Sequence, residues 1–134
     1  MNIPSKGQYA LCALFAVACR EQEGPVSVSQ LALELDISLS YLEQLFAGLR
    51  NAGLVRGQRG AGGGYRLARD PSQITVLEVL RAVGAGQVHR SDSDYLPEQL
   101  WCRLSESLAG FLEGITVDQV LTAAPIRSGE PATD

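Results

Sequence analysis

Residues 37–67 read ISLSYLEQLFAGLRNAGLVRGQRGAGGGYRL and carry most of the information about how this chain folds. In the first half, apolar residues recur every three to four positions, as in an amphipathic helix, and Ser38 is placed to cap that helix. Gly53 is suited to end it. Two short strand-like stretches and a glycine-rich connection follow, at Leu54 to Arg56, Tyr65 to Leu67 and, between them, residues 57–64. The segment therefore predicts a helix followed by a two-stranded hairpin.

A shorter helix is predicted immediately before this segment. Ser27 and Gln30 have the spacing of a capping box, and the apolar stripe that follows ends near Asp36. Two helices separated by a turn of about three residues are typical of a helix-turn-helix. A hairpin with a glycine-rich, arginine-bearing loop directly after such a motif has the arrangement of a wing. We therefore predict a mainly α-helical winged helix-turn-helix with a two-stranded wing.

Four further helices complete the expected organisation. They are a first helix capped by Ser5 and running to about Arg20, a fourth from the Thr75–Glu78 capping box to about Val83, a long amphipathic helix from about Leu96 to Gly114, and a short one opened by Thr116 and Gln119. We expect a winged DNA-binding domain at residues 1–83, an effector or cluster-type loop at 84–95, a dimerisation helix with a short terminal helix at 96–124, and a disordered tail at 125–134.

The bulk properties favour a small DNA-binding protein over an enzyme. A chain of 134 residues has room for one compact domain and an extra dimerisation element. Residues 1–70 hold seven Lys or Arg against six Asp or Glu, whereas residues 71–134 hold four against nine. Residues 44–69 contain five arginines and no acid, which is the local basic character that phosphate binding needs. No leader or membrane-length apolar run is evident, so we expect a cytoplasmic protein with no membrane partner.

The residues that could support catalysis are few. His89 is the only histidine, so a Ser–His or Cys–His pair is not expected, and we predict that the chain is not an enzyme. The glycines of residues 57–64 lack both the GxGxxG spacing and a Gly-Lys-Ser/Thr ending, which argues against nucleotide binding. Cys12, Cys19 and Cys102 form no CxxC pair, so reduced thiols are expected, with Cys12 and Cys19 as core residues.

The helix capped by Ser38, the third along the chain, is the candidate recognition helix. A helix-turn-helix presents the polar side chains at the start of this helix to the major groove. Gln can pair with adenine and Glu can accept from cytosine N4. Arg59, near the wing tip, could enter a narrow A·T-rich minor groove, and the loop glycines allow the backbone to approach the DNA. A solvated helix face and an exposed loop arginine are the alternatives. The candidate DNA-binding residues are Ser38, Ser40, Tyr41, Glu43, Gln44, Arg50, Arg59, Gly60 and Gly62.

The long helix is the candidate dimerisation element. Its apolar stripe is longer than so small a winged domain can cover. The alternative is that the helix packs only against its own chain. Pairing with the same helix of a second chain would bury the stripe and place two recognition helices on a palindromic site in double-stranded DNA. The residues expected at this interface are Leu96, Leu100, Leu104, Leu108, Phe111 and Leu112.

The sequence resembles the winged-helix regulators typified by the bacterial iron-sulfur cluster regulator, from Ser5 to about Leu121. The segments that carry the resemblance are SKGQYA at residues 5–10, ISLSYLEQLF at 37–46, RGAGGGY at 59–65 and LAGFL at 108–112. The resemblance implies that Ser40, Tyr41, Glu43 and Gln44 read the major groove and that Arg59 reaches the minor groove. It also implies dimers that pair through the long helix.

The chain departs from this family where its cluster-binding members carry three cysteines and a histidine ligand. Residues 84–100 contain no cysteine, and Glu98 aligns with the histidine. Iron-sulfur clusters require soft thiolate ligands, so we expect the usual cluster site to be absent. A reduced metal or cluster site built from His89, Glu98 and Cys102 is left open. The alternatives are a small apolar role for Cys102 beside Trp101 and a solvated His89.

Three functional hypotheses follow from these observations. The first is a sequence-specific DNA-binding transcriptional regulator that acts as a homodimer, with repression expected in preference to activation. The second is an iron-sulfur, metal or redox sensor with an atypical ligand set around residues 84–102. The third is a winged-helix protein-interaction module that does not bind DNA, for which the acidic C-terminal half is the only argument.

Overall fold

The computed structural model describes residues 5–60, 62–85 and 96–122, with side chains in the last segment described from Glu98 onward. Within these residues the helices and strands are α1 (Ser5–Cys19), α2 (Val28–Leu35), α3 (Leu39–Asn51), β1 (Val55–Gln58), β2 (Gly64–Leu67), α4 (Val76–Ala82), α5 (Leu96–Glu113) and α6 (Val117–Thr122), with 3₁₀ turns at Glu21–Glu23 and Pro71–Gln73. The predicted winged helix-turn-helix with a long C-terminal helix is confirmed. The predicted tail at 125–134 and most of the predicted loop at 84–95 lie outside the described residues.

Hydroxyl caps fix the starts of four helices. Each cap accepts a hydrogen bond from the backbone amide three residues later, in the pairs Ser27–Gln30 (3.4 Å), Ser38–Tyr41 (3.1 Å), Thr75–Glu78 (3.1 Å) and Thr116–Gln119 (3.2 Å). At α4 the Glu78 side chain accepts in return from the Thr75 amide, which completes the capping box. The start of α1 coincides with the first described residue, so capping by Ser5 stays a prediction.

The core lies between α1, α3, α4 and the wing. Its largest fully buried side chains include Phe46, Leu14, Leu42 and Leu49, so the predicted inner face of α3 is buried. Leu39 is the exception, because it is 43% exposed although it falls at the same three-to-four-residue spacing as the buried apolar residues of α3. It stands in the first turn of α3, beyond the end of the core.

The wing is a two-stranded antiparallel sheet that is attached to the body of the domain at two places. In its register Arg56 pairs with Arg66, and Gln58 pairs with Gly64. Tyr65 exchanges two backbone hydrogen bonds with Val26, each 2.9 Å long. The segment between α1 and α2 therefore pairs with β2 through one antiparallel bridge. The Tyr65 ring stacks on Phe46 at 4.6 Å between centroids. These contacts of Tyr65 hold β2 against the body of the domain.

The C-terminal helices return to the same core. The Val76 amide donates to the Ile115 carbonyl at 2.9 Å, and the Val117 amide donates to the Ile74 carbonyl at 2.8 Å. Val117 is completely buried in the main hydrophobic cluster. The start of α6 is thus an integral part of the winged domain, and α5 is fixed at its C-terminal end.

Two cysteines are not where the sequence suggested. Cys12 and Cys19 are both exposed on α1, so the prediction that they are core residues was wrong. The buried face of α1 is formed instead by Ala10, Ala13, Leu14 and Val17. Among the described helices, none is both long and apolar enough to cross a membrane.

Candidate nucleic-acid interface

The exposed face of α3 brings together three of the predicted base-reading residues. Ser40, Glu43 and Gln44 are all exposed and line one shallow concave surface together with Leu39 and Ala47. Leu39 and Ala47 add apolar atoms of the kind that contact a thymine methyl group, whereas the Glu and Gln side chains supply an acceptor and a mixed donor–acceptor pair. This surface has the chemical variety that direct readout of base edges requires.

Ser38 and Tyr41 lie differently from these three residues. The Ser38 hydroxyl accepts the 3.1 Å hydrogen bond that caps α3. Tyr41 is half-buried, and its ring meets that of Tyr9 edge to face at 6.1 Å. The structure therefore separates Tyr41 from the exposed face and gives it a packing contact with α1.

The wing loop presents Arg59 beside the end of α3. Gly60 and Gly62 have φ angles of 101° and 76°, which a residue with a Cβ adopts only with strain. The Gly63 amide closes the turn by donating to the Gly60 carbonyl at 2.9 Å. Arg59 is exposed and lines one groove with Arg50, Gln58 and Tyr65. The C-terminal end of α3 and the wing therefore line one groove that carries two positive charges.

Only some of the five arginines predicted to form the basic stretch are available to a ligand. Arg69 donates to the Glu78 carboxylate at 2.8 Å, and Arg66 is bound to the first 3₁₀ turn through Glu21. Within the described part of the chain, Arg50, Arg56 and Arg59 are exposed and enter no ion pair. The three free arginines of this stretch thus lie at the end of α3 and on the wing.

The ion pair of Arg69 also sets the protonation of Glu78. Partial burial acts to raise the pKa of the Glu78 carboxyl, but hydrogen bonds from Arg69 and from Thr75 outweigh it and lower the pKa below the ordinary 4.5. Glu78 is therefore a structural carboxylate that stays ionised at neutral pH.

The single chain covers the predicted apolar stripe of α5 unevenly. Leu108 and Leu112 are half-buried, with Ser105 almost fully buried on the same side. Four large apolar residues of α5 are exposed, namely Leu100 (55% exposed), Trp101 (51%), Leu104 (44%) and Phe111 (66%). Leu96 belongs to the described helix, but its side chain lies outside the described atoms.

Trp101 is an exposed apolar residue of α5 that the prediction did not include. The signal was present in the sequence, because Trp101 stands three residues before Leu104 and seven before Leu108, at helical spacing. We refer to Leu100, Trp101, Leu104 and Phe111 together as the α5 stripe.

The candidate metal ligands do not form a described site. Glu98 and Cys102 are one helical turn apart on α5 and are half-buried, and His89 lies outside the described residues. Among the residues that are described, no group of three or more His, Cys, Asp and Glu side chains could hold a metal ion. The other two thiols of the chain stand on the surface of α1.

Comparisons with known proteins agree on one kind of molecule. The sequence model of the Rrf2 family, described as iron-dependent transcriptional regulators, matches residues 3–123. The HTH-type transcriptional regulator IscR of Klebsiella pneumoniae (strain 342) is 44% identical over 131 aligned residues, covering 90% of this chain and 80% of the relative. IscR of Aliivibrio salmonicida (strain LFI1238) is 42% identical over 130 residues, covering 90% of this chain and 77% of the relative.

Solved structures give the same result. T. potens IscR superposes with a TM-score of 0.79 at 36% identity, covering 93% of this chain and 89% of that one. CymR (YrzC), the global cysteine regulator of B. subtilis, superposes with a TM-score of 0.77 at 33% identity, covering 90% of this chain and 95% of that one.

Proposed function

The chain belongs to the Rrf2 family and is a DNA-binding transcriptional regulator, and from that premise we propose that it acts as a homodimer on a palindromic operator and represses transcription. Its relatives are named as transcriptional regulators and not as enzymes, in agreement with the prediction that this chain is not an enzyme. Its place of action is the cytoplasm, where bacterial DNA is found.

The observation that supports this proposal best is that α3 lines two concave surfaces, one with its exposed polar side chains and one together with the wing. Ser40, Glu43 and Gln44 lie along α3, and Arg50 at its end shares a groove with Arg59 of the wing. Groups that read base edges are thus followed by cations that suit the phosphate backbone and the neighbouring groove. Base contacts then give specificity, and the arginines fix the register on the duplex.

Dimerisation is supported by the α5 stripe. Four large apolar side chains on one helix face are each 44–66% exposed in the single chain. Exposed apolar surface of this kind marks an interaction site, and two copies of one helix related by a twofold axis bury it symmetrically. The same axis would set two recognition helices about one turn of DNA apart, as a palindromic site requires.

Repression needs no further surface on the protein. A dimer that covers two neighbouring major-groove half-sites within a promoter excludes the polymerase from the same DNA. Activation, in contrast, requires a dedicated contact with the transcription machinery.

A second candidate function, iron-sulfur or metal sensing, is favoured by the family description as iron-dependent. The donors of this chain do not fit the three-cysteine cluster that the family resemblance implies, because Cys102 is the only cysteine after Cys19 and both Cys12 and Cys19 stand exposed on α1. We propose that this chain regulates without an iron-sulfur cluster. Anaerobic purification with an absorption spectrum and iron and sulfide assays, on wild type and Cys102→Ala, tests this: cluster bands that vanish in the variant would contradict it.

The salt dependence of DNA binding tests the main proposal. The three free arginines of the basic stretch, six per dimer, can neutralise up to six phosphates, so log K should fall with log salt with a slope of about −5. The ligand is a duplex selected from a random pool, compared with scrambled DNA and measured by fluorescence anisotropy. A flat salt response on both duplexes would refute DNA binding and favour a protein-interaction module.

A further inference from the structure

The two strands of the wing place a free arginine directly opposite an engaged one. Arg56 of β1 and Arg66 of β2 are partners in the antiparallel register, so their side chains leave the same face of the sheet. Arg56 is exposed and enters no ion pair within the described residues, whereas Arg66 is half-buried. Two like charges in this position repel each other unless one of them is compensated.

Arg66 is compensated by a set of hydrogen bonds that crosses the base of the wing. Its Nε donates to the Gln58 side-chain oxygen at 3.0 Å, and one terminal nitrogen donates to the Glu21 carbonyl at 3.3 Å. The Glu21 carboxylate lies 4.0 Å from that nitrogen and also accepts from the Leu67 amide at 3.4 Å. A planar guanidinium with several donors suits such a bridge, and a lysine cannot reproduce it.

The position of Gln58 gives these bonds a consequence for the loop. Gln58 is the last residue of β1 and directly precedes Arg59. The guanidinium of Arg66 therefore joins the residue from which the loop departs to the 3₁₀ turn after α1. Holding that residue in place removes part of the ordering cost that a mobile loop would incur when it binds DNA.

We propose that Arg66 is a positioning residue of the wing, which holds Gln58 against Glu21 so that Arg59 is directed into the minor groove before DNA arrives. This inference rests on the proposed function, because it assumes that Arg59 reads a minor groove. Arg66 itself contacts no phosphate. Its partner across the sheet, Arg56, is the residue that does.

The test separates positioning from direct phosphate binding by two readouts on one operator. The first is the ratio of dissociation constants for two duplexes that share the half-sites but carry A·T or G·C pairs in the flank where Arg59→Ala has its effect. The second is the slope of log K against log salt. The variants are Arg66→Ala, Gln58→Ala and the double variant, with Arg56→Ala and Arg69→Ala for comparison.

If Arg66 positions the loop, Arg66→Ala and Gln58→Ala each lower the A·T preference by roughly three- to tenfold and leave the salt slope unchanged. The double variant shows no greater reduction than the more severe single variant, because both act through one hydrogen bond. Arg56→Ala keeps the preference and reduces the slope by about 0.9 for each phosphate that is no longer neutralised. Arg69→Ala removes the ion pair with Glu78, outside the wing, and changes neither readout.

Three results would overturn the inference: a reduced slope with intact preference in Arg66→Ala, additive effects in the double variant, or no change in either single variant. Gln58→Ala protects the test against misfolding, because Gln58 is exposed and its truncation leaves the core intact. If wild type and Arg59→Ala show no A·T preference at all, the wing part of the proposed function has failed instead.

Discussion

Phe111→Ala tests whether the α5 stripe holds two chains together. Phe111 is 66% exposed in the single chain. An aromatic side chain carries roughly 200 Å², so about 130 Å² is open, and about 100 Å² of that is removed on truncation. At about 25 cal/mol per Å² this amounts to about 2.5 kcal/mol per protomer and about 5 kcal/mol per symmetric dimer if burial is complete. Because ordering costs reduce such values, we expect the dimer dissociation constant to rise about 100-fold or more.

Sedimentation equilibrium over a range of protein concentrations measures this constant. The matched control is Leu33→Ala, because Leu33 is 83% exposed on α2 and offers an apolar side chain outside the stripe. We expect the control to dimerise as wild type does. A wild-type chain that remains monomeric, or a Phe111→Ala chain with an unchanged dissociation constant, would show that the reasoning from exposed area is wrong.

Three further predictions concern the wing, a turn and a capping box. Arg59→Ala should weaken specific binding by roughly 1–3 kcal/mol, most on sites with an A·T-rich minor groove, and an unchanged affinity on such sites would remove the wing from the interface. Asp36 ends α2 at φ 56° and ψ 47°, so Asp36→Gly should stabilise the fold by about 0.5–1 kcal/mol, seen as a higher urea midpoint; a lower midpoint would contradict the strain argument. The folded-state pKa of Glu78 lies below 4.5, so its stabilising contribution is complete above pH 4.5 and is lost as the pH falls through the lowered value. Urea midpoints of Glu78→Gln and wild type should therefore differ above pH 4.5 and converge in acid, and a difference that is independent of pH would count against this role.

Local signals predicted the framework of the fold because they act within a few residues. The caps at Ser38 and Thr75 depend on side chain and amide groups three positions apart, so their spacing in the sequence is sufficient evidence. The long helix was predicted from Leu96 to about Gly114 and ends at Glu113. The spacing of apolar residues likewise predicted which face of α3 is buried.

Interactions between distant segments were beyond the reach of the pattern. The basic stretch counted Arg66 as available, but its partner Glu21 stands 45 positions away along the chain. Cys12 was assigned to the core from the general tendency of cysteine to be buried, whereas the packing of α1 leaves it outside. The periodicity also could not show where the core ends, so it did not indicate that Leu39 is partly exposed. The candidate site was thus predicted in its residue types but not in its available charge.

The position of Trp101 has a practical consequence for observing the molecule. It is the only tryptophan of the chain, and it lies on the exposed side of α5 with 51% of its surface open. Indole emission from the whole protein therefore originates on the α5 stripe, which is distant along the chain from α3 and the wing. If two copies pair through the α5 stripe, this emission should shift to shorter wavelength as the protein concentration rises, with no label attached to the candidate DNA-binding surface.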